Sequence, residues 1–277
     1  MTHQVRHGMR LDHMKVEISH HATEAYELLG VDRRRTLAAP EDDMWATFAD
    51  RAEPYALMLG DQLMGRFSVD QDNQLHAFYV RDDHEAIATD LFLRVLDEID
   101  ISAAMASTVD PAFLSLSLAA GGRARPVALM YDHTTQPEGD ETVELRVATA
   151  ADHGAAVVFD HGATGSPEAF LVPYVAERID RGELYLVEAK GKIVATGECR
   201  VDVRAPGNAH LGLVVGAEQR GQGIGTRLMH TLTELCTLRD LTPRCSTEPA
   251  NVAAQKVIRR AGFRNRHRVF RVAMAKN

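Results

Sequence analysis

The sequence predicts an α/β protein built as two successive domains. Three observations carry this reading. From Asn208 to His230 an apolar strand pattern, a glycine-rich turn and an apolar-periodic helix follow one another. A polar, turn-rich stretch, Thr134–Glu141, lies near the middle of the chain, and apolar patterning restarts after it. The order of predicted strands and helices is the same on both sides of that stretch.

Taken in order, residues 1–18 are weakly patterned. Ala22–Leu37 reads as a helix that Gly30 interrupts, with Asp32–Arg35 as a solvated end. Pro40–Asp43 opens a short helix through Trp45 and Phe48. A hairpin follows, Tyr55–Leu59 and Leu63–Val69 around Gly60, then a strand over Leu75–Val80. A helix over Glu85–Ile99, a strand near Ile101–Thr108, a short helix after Asp110–Pro111 and a strand over Val127–Tyr131 close the first half. In the second half Val143–Val147 is a strand, and Thr149–Asp152 caps a helix through Val158. Ser166 caps the next helix, with Pro167 at its first position. Leu184–Glu188 and Ile193–Val203 form a hairpin around Lys190–Gly191, and Leu211–Val215 is a buried strand. After the glycine turn, Leu228, Met229, Leu232, Leu235 and Cys236 mark one face of a helix. A strand around Arg244–Thr247, a helix over Asn251–Ala261 and a strand over Arg268–Ala275 complete the pattern.

Composition narrows the function classes. The chain has 277 residues, 45% apolar and 25% charged, which are globular values. A formal net charge of −8 argues against nucleic acid as a partner. Cys199, Cys236 and Cys245 are odd in number and lack metal-ligand spacing, so a reducing compartment without a disulfide framework is expected. His3, His7, His13, His20 and His21 read as surface or terminal residues rather than a zinc site. No signal-peptide run and no membrane-length apolar stretch occurs. A cytoplasmic protein without membrane association or metal is the expectation.

The glycine turn, Arg220-Gly-Gln-Gly-Ile-Gly-Thr226, points free backbone N–H groups at a helix N-terminus, where an anion is stabilised. It has neither the Gly-Lys-Ser/Thr of a P-loop nor a third glycine at Thr226 for a dinucleotide fingerprint. Its R-x-x-G-x-G pattern, at Arg220, Gly223 and Gly225, resembles the pyrophosphate loop of the GNAT N-acetyltransferase superfamily. A second match lies downstream, where Asn251, Ala254 and Gly262-Phe263 resemble that family's N-x-x-A…G-F segment.

The resemblance implies that each half is a mixed, mostly antiparallel sheet flanked by helices, and that the co-substrate is acetyl-CoA. Between the halves, Tyr55–Gln62 aligns with Leu184–Gly191, Ser107–Ala112 with Ser246–Ala250, and Ala120-Gly121 with Ala261-Gly262. We infer an internal duplication: a degenerate GNAT-like domain at 1–133, a linker at 134–141 and a catalytic domain at 142–277. The first copy reads Val80-Arg-Asp-Asp-His-Glu85 at the loop position, with no glycine and three carboxylates, so it is not expected to hold a pyrophosphate.

For the second copy, the backbone N–H groups of Gln219, Arg220, Gly221, Gln222, Gly223, Ile224, Gly225 and Thr226, with the Thr226 hydroxyl, would cradle the pyrophosphate. By resemblance, the backbone of Leu213, Val214 and Val215 would pair with the pantetheine arm, on a strand that splays from its neighbour. Asn251 would meet the cofactor arm or an ordered water. The general base is either His210, which stands where the family often carries Glu, or Glu198 on the preceding strand. The family's acidic Tyr is replaced by Ile258, leaving Cys245, Ser246, Tyr174 or unassisted departure of the thiolate. Ser166, Phe170 and Tyr174 are placed near the acceptor, with Asp160 and His161 on helix surface. The expected activity is acetyl transfer to a primary amine of a small molecule by direct attack in a ternary complex, with a homodimer open. The alternatives are a non-catalytic acyl-CoA-binding sensor or scaffold, and an acetyltransferase for protein or peptide amines.

Overall fold

The structure is a computed structural model, and it describes residues 16–20, 24–135, 137, 139 and 141–274. His3, His7, His13, His21, Ala22 and Ala275 lie outside the described residues. The chain forms two compact units. One comprises residues up to Val127 together with Arg268 onward, the other Ala128–His267.

In the first unit, β1 (Val16–His20), β2 (Glu53–Leu59), β3 (Gln62–Val69), β4 (Gln74–Val80) and β5 (Ala103–Ser107) lie side by side in that order. All pair antiparallel except β4 with β5, which are parallel. Helices α1 (Glu24–Thr36), α2 (Asp43–Arg51), α3 (Ala88–Glu98) and α4 (Pro111–Ala120) flank this sheet. Gly30 does not interrupt α1. A Cβ there would lie 2.2 Å from an Arg66 guanidinium nitrogen, so the glycine makes room for that side chain. The expected helix from Glu85 splits into a 3₁₀ segment, Asp82–Ile87, and α3, whose Leu91, Phe92 and Val95 are buried. These pack with Phe67, Phe78 and Phe113 in one apolar core.

In the second unit, β7 (Arg146–Val147), β8 (Leu184–Ala189), β9 (Lys192–Val201), β10 (Asn208–Val215) and β11 (Thr242–Thr247) follow one another across the sheet. Again only one neighbouring pair, β10 with β11, is parallel. Helices α5 (His153–Thr164) and α6 (Glu168–Asp180) precede the β8–β9 hairpin. Helices α7 (Ile224–Leu238) and α8 (Val252–Arg260) follow β10 and β11. Leu228, Met229, Leu232 and Cys236 of α7 are buried with Leu211, Ile258 and Phe263, the face read from the sequence. The three cysteines are buried and form no disulfide among the described residues.

Two strands depart from the sequence reading, which stopped the halves at 133 and began the second at 142. β6 (Gly121–His133) and β12 (Phe263–Met274) are each longer than expected and run through both units. Leu129–Asp132 of β6 pairs with β11 in the second unit, and Val269–Ala273 of β12 pairs with β5 in the first. Strand pairing, not chain order, therefore sets the units. Ser166 is not the cap of α6. Pro167 takes that position without a side-chain cap, while the Ser166 hydroxyl accepts from Thr164 at 3.0 Å.

Arg33, expected on a solvated helix end, is only 7% exposed. Its guanidinium donates to Asp110 at 2.9 Å and to both oxygens of Glu41 at 2.7 and 3.1 Å. Asp110 also caps α4 by accepting from Phe113 N–H at 3.1 Å. Losing Asp110 leaves Arg33 its Glu41 pair but takes away one of the two carboxylates on this buried guanidinium and the cap of α4. Asp110→Ala is expected to lower the unfolding free energy by about 2–4 kcal/mol, read from the denaturation midpoint. A change below about 0.5 kcal/mol, the level of an ordinary surface substitution, would contradict this account.

Candidate active site

The site of the second unit begins where β10 and β11 part. They share register only at Asn208↔Thr242, Ala209↔Pro243 and His210↔Arg244. Beyond His210, β10 keeps β9 as far as Val215↔Ala195, and β11 keeps β6 as far as Thr247↔Leu129. The gap between them runs towards the glycine turn. Gly216 N–H donates to Val194 O at 3.0 Å, on the β9 side. Antiparallel alternation then turns the N–H groups of Leu213 and Val215 towards the gap. Val214 differs from the expectation, because the same alternation directs its backbone to Thr196.

At the end of the gap the chain turns through Ala217–Gln219 and enters α7. Gly221 and Gly223 have φ of 78° and 79°, a conformation that L side chains rarely adopt. Among the described residues the N–H groups from Gly221 to Gly225 meet no acceptor, as a helix start allows. Within the expected cradle, Gln219–Thr226, the backbone N–H groups divide into two sets. The N–H groups of Gln219, Arg220 and Thr226 are bonded to Gly216, Ala217 and Gly223 carbonyls. Arg220 is a brace: its guanidinium donates to Val215 O at 3.2 Å and Ala163 O at 2.8 Å. A cleft of about 690 Å³ adjoins the turn, walled by Phe159, Ile193, Gln222 and Ile224 and carrying Lys190 and Lys192. Those two cations were missed in the sequence reading, and their sign suits a phosphate. Asn251 caps α8, its side-chain oxygen accepting from Ala254 N–H at 3.0 Å. Ile258 is buried in the core at the family's tyrosine position.

On the face that α5 and α6 cover, strand alternation groups Thr196, Glu198 and Arg200 of β9 with His210, Gly212 and Val214 of β10. The Tyr174 hydroxyl donates to Glu198 at 2.7 Å and accepts from Arg200 at 2.9 Å. Arg200 also pairs with Glu198. Burial, reinforced by the charge of Glu198, pushes the Tyr174 phenol well above its ordinary value, so it stays protonated. Phe170 stacks on Tyr174 with ring centroids 5.4 Å apart and is 51% exposed. Gly212 leaves the Glu198 carboxylate uncovered: a Cβ there would lie 3.3 Å from it. The Ser166 hydroxyl accepts from Thr164 at 3.0 Å, and its carbonyl meets a His161 ring nitrogen at 2.8 Å.

The structure separates the two expected bases. Glu198 lies beside Tyr174 and Gly212, whereas His210 is 1% exposed and bonded through Nε2 to Asp202 at 3.0 Å. Asp160, expected on helix surface, is instead 5% exposed and accepts from the Thr196 hydroxyl at 2.9 Å. Its spacing from Ala156, one turn earlier on the buried face of α5, was the missed signal. Burial is the largest influence on this carboxyl and, with Glu198 nearby, raises it to about 6 against the Thr196 hydrogen bond.

Models of the GNAT acetyltransferase domain and of the GNAT acetyltransferase family match residues 32–134 and 157–263. A solved acetyltransferase from the GNAT family of Colwellia psychrerythraea is 30% identical, covering 94% of this chain and 100% of its own, with a TM-score of 0.89. The chain belongs to the GNAT acetyltransferase superfamily. Both of its domains are GNAT domains, so it is a tandem GNAT acyltransferase. The same fold recurs in a tandem GNAT protein from the clavulanic acid biosynthesis pathway, at 15% identity, 95% and 99% coverage and a TM-score of 0.62. It recurs also in a GCN5-related N-acetyltransferase from Sphaerobacter thermophilus, at 16% identity, 94% and 95% coverage and a TM-score of 0.63. No curated protein matches the chain. Among the described residues no metal-holding cluster and no helix able to cross a membrane occurs.

The raised Asp160 carboxyl has a pH signature. Its folded value lies above its unfolded value, so its most favourable contribution is present below pH about 4 and is lost as pH rises through about 6. Asp160→Asn in this GNAT protein removes that loss. The variant is expected to gain stability relative to the parent at pH 8, on the order of 2–3 kcal/mol, and to match it more closely at pH 5. Thermal unfolding at both pH values checks this; an unchanged difference between them would contradict it.

Proposed function

We propose that the second unit moves an acetyl group from acetyl-CoA to a primary amine of a small molecule by direct attack in a ternary complex. The observation that carries the reading is the β10–β11 gap, which ends on five unpartnered backbone N–H groups at the start of α7. The Gly221–Gly225 N–H groups, with the Thr226 hydroxyl, would hold the pyrophosphate, and Arg220 would keep the turn in shape. Leu213 and Val215 would pair with the pantetheine arm, the Val215 N–H facing the thioester oxygen as negative charge develops on it. Asn251, its oxygen held by the cap, keeps its amide NH₂ for the cofactor arm.

Glu198 is the base this geometry favours. The amine nitrogen attacks the thioester carbon, its proton passes to Glu198, and the C–S bond breaks to release CoA thiolate. Tyr174 and Phe170 would wall the acceptor, Tyr174 remaining a donor to Glu198. His210 fits a positioning role better, since its burial and its Asp202 bond keep it from the amine. Ile258 supplies no proton, so the thiolate leaves without a tyrosine at that place. A small amine is favoured over a protein amine by the half-buried setting of Glu198, whose side chain is 15% exposed.

The test is release of CoA thiol from acetyl-CoA against a panel of amines, amino acids and aminoglycosides. Turnover with one acceptor is expected, abolished by Gly223→Glu, which places a carboxylate in the pyrophosphate site. Glu198→Gln is expected to lower kcat by about 10²–10⁴-fold with little change in acetyl-CoA affinity. Binding of acetyl-CoA without turnover on any acceptor would overturn the reading.

A further inference from the structure

The first unit has a cleft of about 780 Å³ beneath α2, a volume in the range of small-molecule sites. Trp45 and Phe48 form its aromatic wall, packed edge to face with centroids 5.4 Å apart, and Phe48 meets the His76 ring at 6.4 Å. Met105 lines it from β5. Phe48 is 39% exposed, an aromatic face without full cover. The Trp45 indole N–H is buried and has no hydrogen-bond partner among the described residues.

Charge gives the cleft its sign. Glu53, Asp70 and Asp72 line it against one guanidinium, Arg51. Asp70 stays ionised: burial alone would raise it, but His76 at 2.7 Å and the N–H groups of Gln74 and Asp72 hold it below the ordinary carboxylate range. Asp72 is exposed and its carboxylate makes no bond among the described residues. Aromatic faces and net negative charge together select a cation.

The cleft stands on the same frame as the acceptor face of the second unit. In each unit an Asp at the end of one strand bonds a His early in the next, Asp70 with His76 and Asp202 with His210. In each, β4 with β5 or β10 with β11, the parallel strands pair briefly and then part. The first unit lacks the glycine turn, having Arg81–Glu85 there, with Arg81 paired to Asp83 at 3.0 Å. Binding there would not lead to acyl transfer.

We propose that the cleft beneath Trp45 and Phe48 binds a small organic cation, which is held and not acetylated. The ammonium lies against the two rings with Asp72 beside it. The chain has one tryptophan, so its fluorescence reports on this cleft alone.

The experiment titrates the full chain with choline and with its neutral isostere 3,3-dimethylbutan-1-ol, following Trp45 emission. Choline is expected to give a saturable change and the isostere none. Phe48→Ala and Asp72→Asn, both at exposed positions, are each expected to weaken choline by about tenfold, and Gly223→Glu to leave the titration unchanged. No saturable response to choline would overturn the proposal. So would an equal response to the isostere, which marks an uncharged crevice, or loss of the response in Gly223→Glu, which places choline at the glycine turn.

Discussion

The second unit depends on a strand pair that closes and then opens. At the closed end Arg244 donates to Asn208 at 2.9 Å and to Asp132 at 2.8 Å, tying β11 to both neighbours. His210 fastens the same end through Asp202, whose other oxygen takes the N–H groups of Arg204 and Ala205. Past that point β10 and β11 are each held only by their outer partners, and the backbone between them is left for a ligand to pair with. An unpaired strand edge buried in a sheet is costly unless something satisfies it. The slot proposed for the co-substrate is therefore lined by the same hydrogen-bonding groups that elsewhere hold the sheet together.

The duplicated frame shows what can change without loss of the fold. Both units keep the helix pair, the hairpin, the Asp–His fastening and the brief parallel pairing. Only one keeps glycines at positive φ before the helix that follows the parting strand. In the other, Asp82, Asp83 and Glu85 occupy that turn. The Asp–His bond is thus common to both units, His76 with Asp70 and His210 with Asp202.

Much of this was legible in the sequence. Period-two and period-3.6 patterns placed the hairpins and α7 within a few residues, and the glycine spacing located the turn. What was not legible depended on partners distant in the chain. β6 and β12 each read as the closing strand of its own half, because a strand's pattern does not name its neighbour. Arg33 read as solvated until Asp110, 77 residues on, supplied its partner. Asp160 read as surface because a carboxyl on a helix usually is, yet Thr196 receives it within the unit. Ser166 matched the residue type of a cap, but the chain turned one residue later, at Pro167. The narrow parting of β10 from β11 leaves no mark on residue type at all.

The exchange of closing strands has a consequence for how this chain comes off the ribosome. The first unit takes Val269–Ala273 beside β5, and those residues are translated after the whole of the second unit. The amino-terminal sheet must therefore wait, with the β5 edge uncovered, while the 140 or so residues from Ala128 to His267 emerge. The usual order of synthesis, in which the earlier domain is finished before the later one begins, is reversed for its last strand. A messenger cut short before codon 268 would yield an unfinished first unit, however complete the second.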